Sequence, residues 1–153
     1  VIKFLEREQQ LPISLDEAWK FFSSPENLNT ITPPEMNFRT ISPHTGEMYE
    51  GMIIAYKLTP MVNIPITWVT EITHVKDRCF FVDEQRKGPY RIWHHEHHFK
   101  ENGKGVLMTD RLAYDIGKGF LGNLAGALFV HGKVNAIFEY RKQKLDILFA
   151  PTP

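Results

Sequence analysis

Hydrophobic and polar positions alternate along most of the chain, and three stretches depart from that pattern toward a helical period. Residues 2–11 alternate weakly and predict a first strand. Ser14-Leu-Asp-Glu17 is a capping box, in which a hydroxyl and a carboxylate three residues apart satisfy free N–H groups at a helix start. Leu15, Ala18, Trp19 and Phe22 follow at helical spacing, so residues 15–23 predict a short amphipathic helix. Ser24-Pro25 opens a second short helix, with the proline in its first turn, and Pro33-Pro34 ends it. Strands are then expected over 37–42, 51–58 (Met52, Ile54, Tyr56 and Leu58 in phase), 64–75 and 78–86, with a turn at Lys76-Asp77. Two long strands follow between residues 89 and 116. The last element is a helix over 118–149, roughly 45 Å long at helical rise. Leu121, Leu124, Leu128, Phe138, Leu145 and Phe149 share one stripe of it, with His131 and Asn135 in the middle. Gly126 and Gly132 each lower its helix propensity by about 1 kcal/mol, which is tolerated where something approaches closely or the helix bends.

The two long strands meet at Asn102-Gly103, a strong hairpin signal because both central residues of such a turn need positive φ. Pairing Glu101 with Lys104 puts Phe99 opposite Val106, His97 opposite Met108, His95 opposite Asp110, Trp93 opposite Leu112 and Arg91 opposite Tyr114. One face of the hairpin is then apolar except for two histidines and one aspartate, as the wall of a ligand cavity would be. The preceding strand is expected to pair Arg86 with Pro89, Glu84 with Arg91, Val82 with Trp93 and Phe80 with His95. A longer turn at Lys87-Gly88 would shift that register and reverse its faces.

The order is strand, two short helices, six strands and one long helix. It predicts an α+β helix-grip fold: a curved seven-stranded antiparallel sheet wrapped around a long C-terminal helix, with two short helices between strands 1 and 2. One domain is expected over 1–149, with 150–153 as a tail. This order resembles the START and pollen-allergen (SRPBCC) superfamily. Asn27-Leu28 with Ile31-Thr-Pro-Pro34, Phe81-Val-Asp-Glu-Gln85, Gly88-Pro-Tyr-Arg91, Trp93-His-His-Glu-His97 and Asp110-Arg111 are similar to a bacterial polyketide cyclase/dehydrase-like or coenzyme-Q-binding-like subgroup, sometimes labelled cell-division-inhibitor-like. The resemblance implies a cavity between sheet and helix. The superfamily places carriers, sensors and a few enzymes on one scaffold.

Composition narrows the function classes. In 153 residues, Lys plus Arg is 18 and Asp plus Glu is 18, so no charge field points to nucleic acid or an anionic membrane. Eleven Phe, five Tyr and three Trp can fill a core or line a pocket. Cys79 is the only cysteine; it is expected to pack as a small hydrophobe and excludes an intrachain disulfide. No signal-peptide pattern and no bilayer-length apolar run is present, so a cytoplasmic protein with no integral membrane segment is expected.

The chemistry concentrates in His94-His-Glu-His-His98. On a strand, His95 and His97 share one face, and His94 and His98 the other. The His-x-His spacing suits a metal, with Asp110 or Glu84 as an oxygen donor, but no third histidine is in position and no metal or other cofactor is expected. His95 with Asp110 is either a polar pair orienting a ligand or, in an enzyme, an acid–base pair. Arg91 with Glu84 is expected as an ion pair in the wall or at its rim. Gly117-Lys-Gly-Phe-Leu-Gly122 matches G-x-G-x-x-G, but the dinucleotide reading needs a parallel strand after the helix, and the chain ends with the helix. Residues 59–63 form an apolar loop, either a lid or a self-association patch. Ser14, Ser23 and Ser24 have no positioned base, so no nucleophilic triad is indicated.

These readings support a cavity for a small, mostly apolar molecule, such as a lipid, isoprenoid or polyketide-like aromatic. Tyr56, Trp68, Trp93, Phe99, Met108, Leu112 and Tyr114 would supply area from the sheet, and Leu124, Leu128 and Phe138 from the helix. Glu84, Arg91, His95, His97, Asp110, His131 and Asn135 would supply polar contacts. One alternative is a cyclase or dehydratase using His95 and Asp110. The other is an interaction domain with a collapsed cavity, forming a homodimer or meeting a protein partner.

Overall fold

The computed structural model describes residues 1–43, 46–60, 64–117 and 124–151, and only the backbone of Leu124 and Ala125. β1 (Lys3–Leu11) leads to α1 (Leu15–Phe22), then to two 3-10 segments, Pro25–Ile31 and Pro34–Met36. Six strands follow: β2 (Arg39–Thr40), β3 (Met52–Leu58), β4 (Ile66–Lys76), β5 (Phe80–Lys87), β6 (Ile92–Asn102) and β7 (Gly105–Asp115). α2 (Leu124–Leu148) lies last. One antiparallel sheet has the order β1-β7-β6-β5-β4-β3-β2. Only β1 is out of sequence order, and it returns to pair with the last strand. This is the helix-grip architecture expected from the element order. No helix among the described residues is long and apolar enough to cross a membrane.

Local chemistry explains the short helices. Ser14 caps α1 in a reciprocal box with Glu17, and Ala18, Trp19 and Phe22 form the buried face. Trp19 meets Phe81 and Phe99 edge-on, with centroids 6.0 and 5.7 Å apart. Burying a side chain of that size contributes on the order of 1.5–3 kcal/mol. The second predicted helix is the 3-10 segment Pro25–Ile31.

The β6–β7 register differs from expectation by two residues. Asn102 pairs with Gly105, Phe99 with Met108, His97 with Asp110, His95 with Leu112 and Trp93 with Tyr114. The loop is Gly103-Lys104, and Gly105 takes the positive φ of 117°. Asn102 Oδ1 accepts the Lys104 N–H at 2.9 Å. An even shift leaves every side chain on its expected face. The β5–β6 register differs by three, because residues 88–91 separate the strands: Phe81 pairs with His97, Asp83 with His95 and Glu84 with His94. The Gln85 side chain holds this longer turn, donating to Tyr90 O at 2.5 Å and accepting the Tyr90 N–H at 3.2 Å. An odd shift reverses the faces, so Phe81 and Asp83 turn inward.

α2 also presents a different stripe. Val130, Val134, Phe138, Arg141 and Leu145 are buried among its described side chains, whereas Leu128 is 65% exposed. The helix carries apolar residues on several faces, with Phe129, Ile147 and Leu148 also exposed, so periodicity alone could not choose the buried one. Leu121 and the Leu124 side chain lie outside the described residues, as do 118–122 of the glycine motif, 61–63 of the apolar loop and 152–153 of the tail. Cys79 is exposed, contrary to its expected packing, because it sits in the β4–β5 turn after Arg78, which has φ of 55°.

Two glycines in the β6–β7 turn now have opposite expectations. A Cβ on Gly105 would lie 2.2 Å from Leu11 O, at a φ that L-residues rarely adopt. Gly103 has nothing within 4 Å of that position. Urea denaturation should show Gly105→Ala destabilised by about 2 kcal/mol or more, with Gly103→Ala changed by less than about 0.5 kcal/mol.

Candidate functional site

Three apolar clusters form the core. Leu5, Leu112, Tyr114, Val130, Val134 and Phe138 join β1 and β7 to α2. Trp19, Phe22, Phe81, Phe99, Met108 and Leu145 are among those joining α1 to mid-sheet. Met36, Ile54, Tyr56, Leu58 and Ile72 belong to a third around β3. Members of all three line a cavity of about 190 Å³. Leu28, Ile31 and Met36 close it from the 3-10 segments, Ile137 and Phe138 from α2, and Tyr56, Trp68, Ile72 and Trp93 from the sheet. Trp68, Tyr90 and Trp93 make an aromatic corner, with Trp93 5.2 Å from Trp68 and 4.7 Å from Tyr90. β4 carries register irregularities at Val69/Thr70 and Ile72/His74, and such bulges bend a strand and increase its twist.

One region of this wall is ionic: Asp83, His95, His97 and Arg141 line it, with Asp110 behind them. The cross-strand pairs place the charges. Asp83 stands opposite His95 and His97 opposite Asp110, so on three adjacent strands the two acids flank the two imidazoles. The hydrogen bonds run diagonally: His97 Nε2 to Asp83 Oδ2 at 2.7 Å and His95 Nε2 to Asp110 Oδ1 at 2.9 Å. His97 Nδ1 lies 3.2 Å from Asp110 Oδ1, but out of line for a hydrogen bond. His95 Nδ1 lies 3.6 Å from Asp83 Oδ2. Arg141 Nη2 reaches Asp110 Oδ1 at 3.4 Å, and its guanidinium sits 5.5 Å from the centre of the Phe22 ring. Phe81 stacks on His97 at 4.2 Å.

Burial by itself would raise both carboxyl groups. For Asp110 the Arg141 charge, the bond from His95 and the His97 imidazole close beside it outweigh burial and hold the group well below the usual carboxylate range. For Asp83 the bond from His97 and the neighbouring cations do the same. The imidazoles separate. Burial and the charge of His97 hold His95 below its ordinary value. For His97, burial acts downward too, but Asp110 and Asp83 reverse it and raise the group. The set therefore brings two carboxylates against one guanidinium and two imidazoles, of which His97 is the more basic. Burial, and then the nearby Asp83 charge, also raise the Tyr56 hydroxyl on β3 of the same sheet.

Of the residues anticipated from sequence, Tyr56, Trp68, Trp93, His95 and His97 line the cavity. Met108 and Asp110 line a void of about 20 Å³ behind it, with Phe138 and Arg141 between the two. That void has room for about one water molecule. Phe99 packs into the α1 cluster, and Leu112 and Tyr114 into the α2 cluster. His131 and Asn135 are turned toward β1 and β7, where Tyr114 Oη meets His131 Nδ1 and Arg7 donates to Asn135 Oδ1 at 2.8 Å. Leu128 faces solvent. The expected Glu84–Arg91 pair does not form: Glu84 lies on the outer face against His94, 2.7 Å away, and Arg91 lies 3.9 Å from Asp115. Asp83 and Arg141 were not anticipated. The signal for Asp83 was the length of the 88–91 turn. For Arg141 it was an arginine three residues after Phe138 and four before Leu145, in line with buried positions.

No protein-family model matches the chain, and no curated protein matches it. Solved structures do. Protein Ms6760 from Mycobacterium smegmatis is 16% identical at a TM-score of 0.69, with 95% of this chain and 89% of that one covered. The di-domain ARO/CYC StfQ from the steffimycin biosynthetic pathway is 12% identical at 0.72, covering 97% of this chain and 50% of that one. Major latex-like protein 151 from Panax ginseng is 13% identical at 0.66, covering 98% and 99%. At these identities the likeness establishes the fold alone, which is the helix grip.

The ionic cluster predicts a specific stability response. Arg141→Met leaves Asp110 buried with less compensation and should cost about 3 kcal/mol in urea denaturation; adding Asp110→Asn should recover part of it. Because Asp110 is depressed in the folded state, its contribution is complete above its unfolded pKa of about 3.9 and is lost as pH falls through the lower folded value. Asp110→Asn should therefore flatten the acid limb of the stability–pH curve.

Proposed function

We propose that the protein binds a small, mostly apolar molecule in the cavity between the sheet and α2. The observation that carries this reading is a void of about 190 Å³, walled by apolar and aromatic side chains and polar along one side. Ligand sites are built in this way, with a few placed polar groups in an apolar lining. Volume limits the class. A dry core cavity of about 150 Å³ accepts benzene, so this one suits a molecule of one or two rings. A long-chain lipid or a four-ring polyketide would require the Leu28–Ile31 side to move away from α2. The likeness to an ARO/CYC domain supports an aromatic or polyketide-like ligand over an acyl chain.

A cyclase or dehydratase activity is the second reading. In its favour, Asp110 holds His95 Nε2 at 2.9 Å, while His95 itself lines the cavity. Catalysis by His95 would give a pH–rate profile that disappears in His95→Gln.

Fluorescence titration with a one- or two-ring apolar probe should quench Trp68 and Trp93 with saturation. Ile137→Trp, which fills the cavity from α2, should weaken binding at least about tenfold, equivalent to 1.4 kcal/mol, without lowering the unfolding midpoint. Unchanged affinity in that variant would place the ligand elsewhere.

A further inference from the structure

We propose that Asp83, His95 and His97 form a site for one divalent transition-metal ion in the polar wall of the cavity. The ligand atoms of these three residues all lie within 4.8 Å of one another. Each imidazole has one nitrogen toward each acid. Toward Asp110 stand His95 Nε2 at 2.9 Å and His97 Nδ1 at 3.2 Å. Toward Asp83 stand His95 Nδ1 at 3.6 Å and His97 Nε2 at 2.7 Å. The near nitrogens converge on one carboxylate while a second carboxylate stands behind the far ones. An outer carboxylate of that kind fixes the tautomer and ring orientation of metal-bound histidines. His97 Nδ1, buried and without an aligned partner, would become the N–H that donates to Asp110.

The distances are compatible with an ion. Two donors about 2.1 Å from a tetrahedral centre lie about 3.4 Å apart. The 3.6 Å between His95 Nδ1 and Asp83 is already near that value. The 2.7 Å between His97 Nε2 and Asp83 must open by about 0.7 Å, within reach of a rotation of the Asp83 carboxylate. Two imidazoles and one carboxylate suit zinc or ferrous iron, not the all-oxygen shells of magnesium or calcium. All three residues line the cavity, so the remaining coordination positions face it. A dication with two carboxylates and the Arg141 guanidinium leaves one net positive charge. That favours an anionic oxygen, from hydroxide or a phenolate, as the next ligand. The site stands on its own residues and does not require the apolar ligand.

Histidines on the outer face are the competing explanation for any metal found. His94 and His98 flank Glu96 there, at 3.3 and 2.7 Å. Cobalt(II) titration of chelator-treated full-length chain separates the two. The expected result is saturable binding of one ion with visible ligand-field bands. Asp83→Asn should abolish those bands, Asp110→Asn should weaken binding about ten- to hundredfold, and His94→Gln with His98→Gln should leave it unchanged. Proton NMR of the cobalt-loaded wild type gives a second readout independent of any variant's folding. Two exchangeable hyperfine-shifted ring N–H signals are expected, one from His95 and one from His97. Absence of those signals, survival of the bands in Asp83→Asn, or their loss in the outer-face double variant would overturn the proposal.

Discussion

A carboxylate buried in an apolar wall is the constraint around which this molecule is arranged. Asp110 is 2% exposed, in the middle of β7, where its neighbours along the strand on the same face are Met108 and Leu112. Left alone, such a group would neutralise or unfold the wall, because ionisation in a low-dielectric site is costly without partners. Its partners come from three directions: His97 directly opposite on β6, His95 one pair along, and Arg141 from α2. The requirement propagates. His97 needs Asp83, which fixes the face of β5. Arg141 must reach Asp110, which fixes the rotation of α2 about its axis. Sheet register and helix docking are therefore coupled through one polar cluster. A one-residue slip in either strand would put an acid or an imidazole against hydrocarbon.

Much of this was legible in the sequence, and the places where it was not share a cause. The faces of β6 and β7 were readable because Trp93 and Phe99 on one strand and Val106, Met108, Leu112 and Tyr114 on the other fall in phase, and a hairpin misplaced by two residues preserves them. The turn itself was ambiguous. Gly103 and Gly105 both permit positive φ, and only the close approach of Leu11 O to Gly105 shows why the later one is used. β5 offers less, since Phe80 and Phe81 are adjacent aromatics that fit either face, and its pairing depended on a turn length that pattern alone does not give. Asp83 was missed for that reason. Arg141 was missed because a charged residue on a helix is ordinarily solvated, and the acid that draws it inward is distant in sequence.

The polar cluster and the cavity depend on each other. The side of the cavity made by the 3-10 segments is mostly apolar, with Asn27 beside Leu28 and Ile31, and the side made by β5, β6 and Arg141 carries ionisable groups of both signs. Because each carboxylate already has cationic or N–H partners, the floor presents an oriented polar surface. Such a surface can direct a hydroxyl or carbonyl oxygen without attracting every passing ion. Phe138 and Arg141 separate the cavity from the small crevice beside Met108 and Asp110. With Asp110 only 2% exposed, its interactions are weakly screened.

The volume itself bears on function. An apolar hollow left unfilled forgoes contacts that its lining side chains could otherwise make, and this one measures about 190 Å³. Its lining mixes phenylalanines such as Phe22, Phe38 and Phe81 with smaller side chains at Leu28, Ile31, Thr70 and Ile137. Strands and helices meet closely around Trp19 and around Val130, yet they part between Trp68 and Ile137. The sequence packs tightly at both of those places and leaves room between them beside a set of oriented polar groups, and that room is where the proposed ligand would sit.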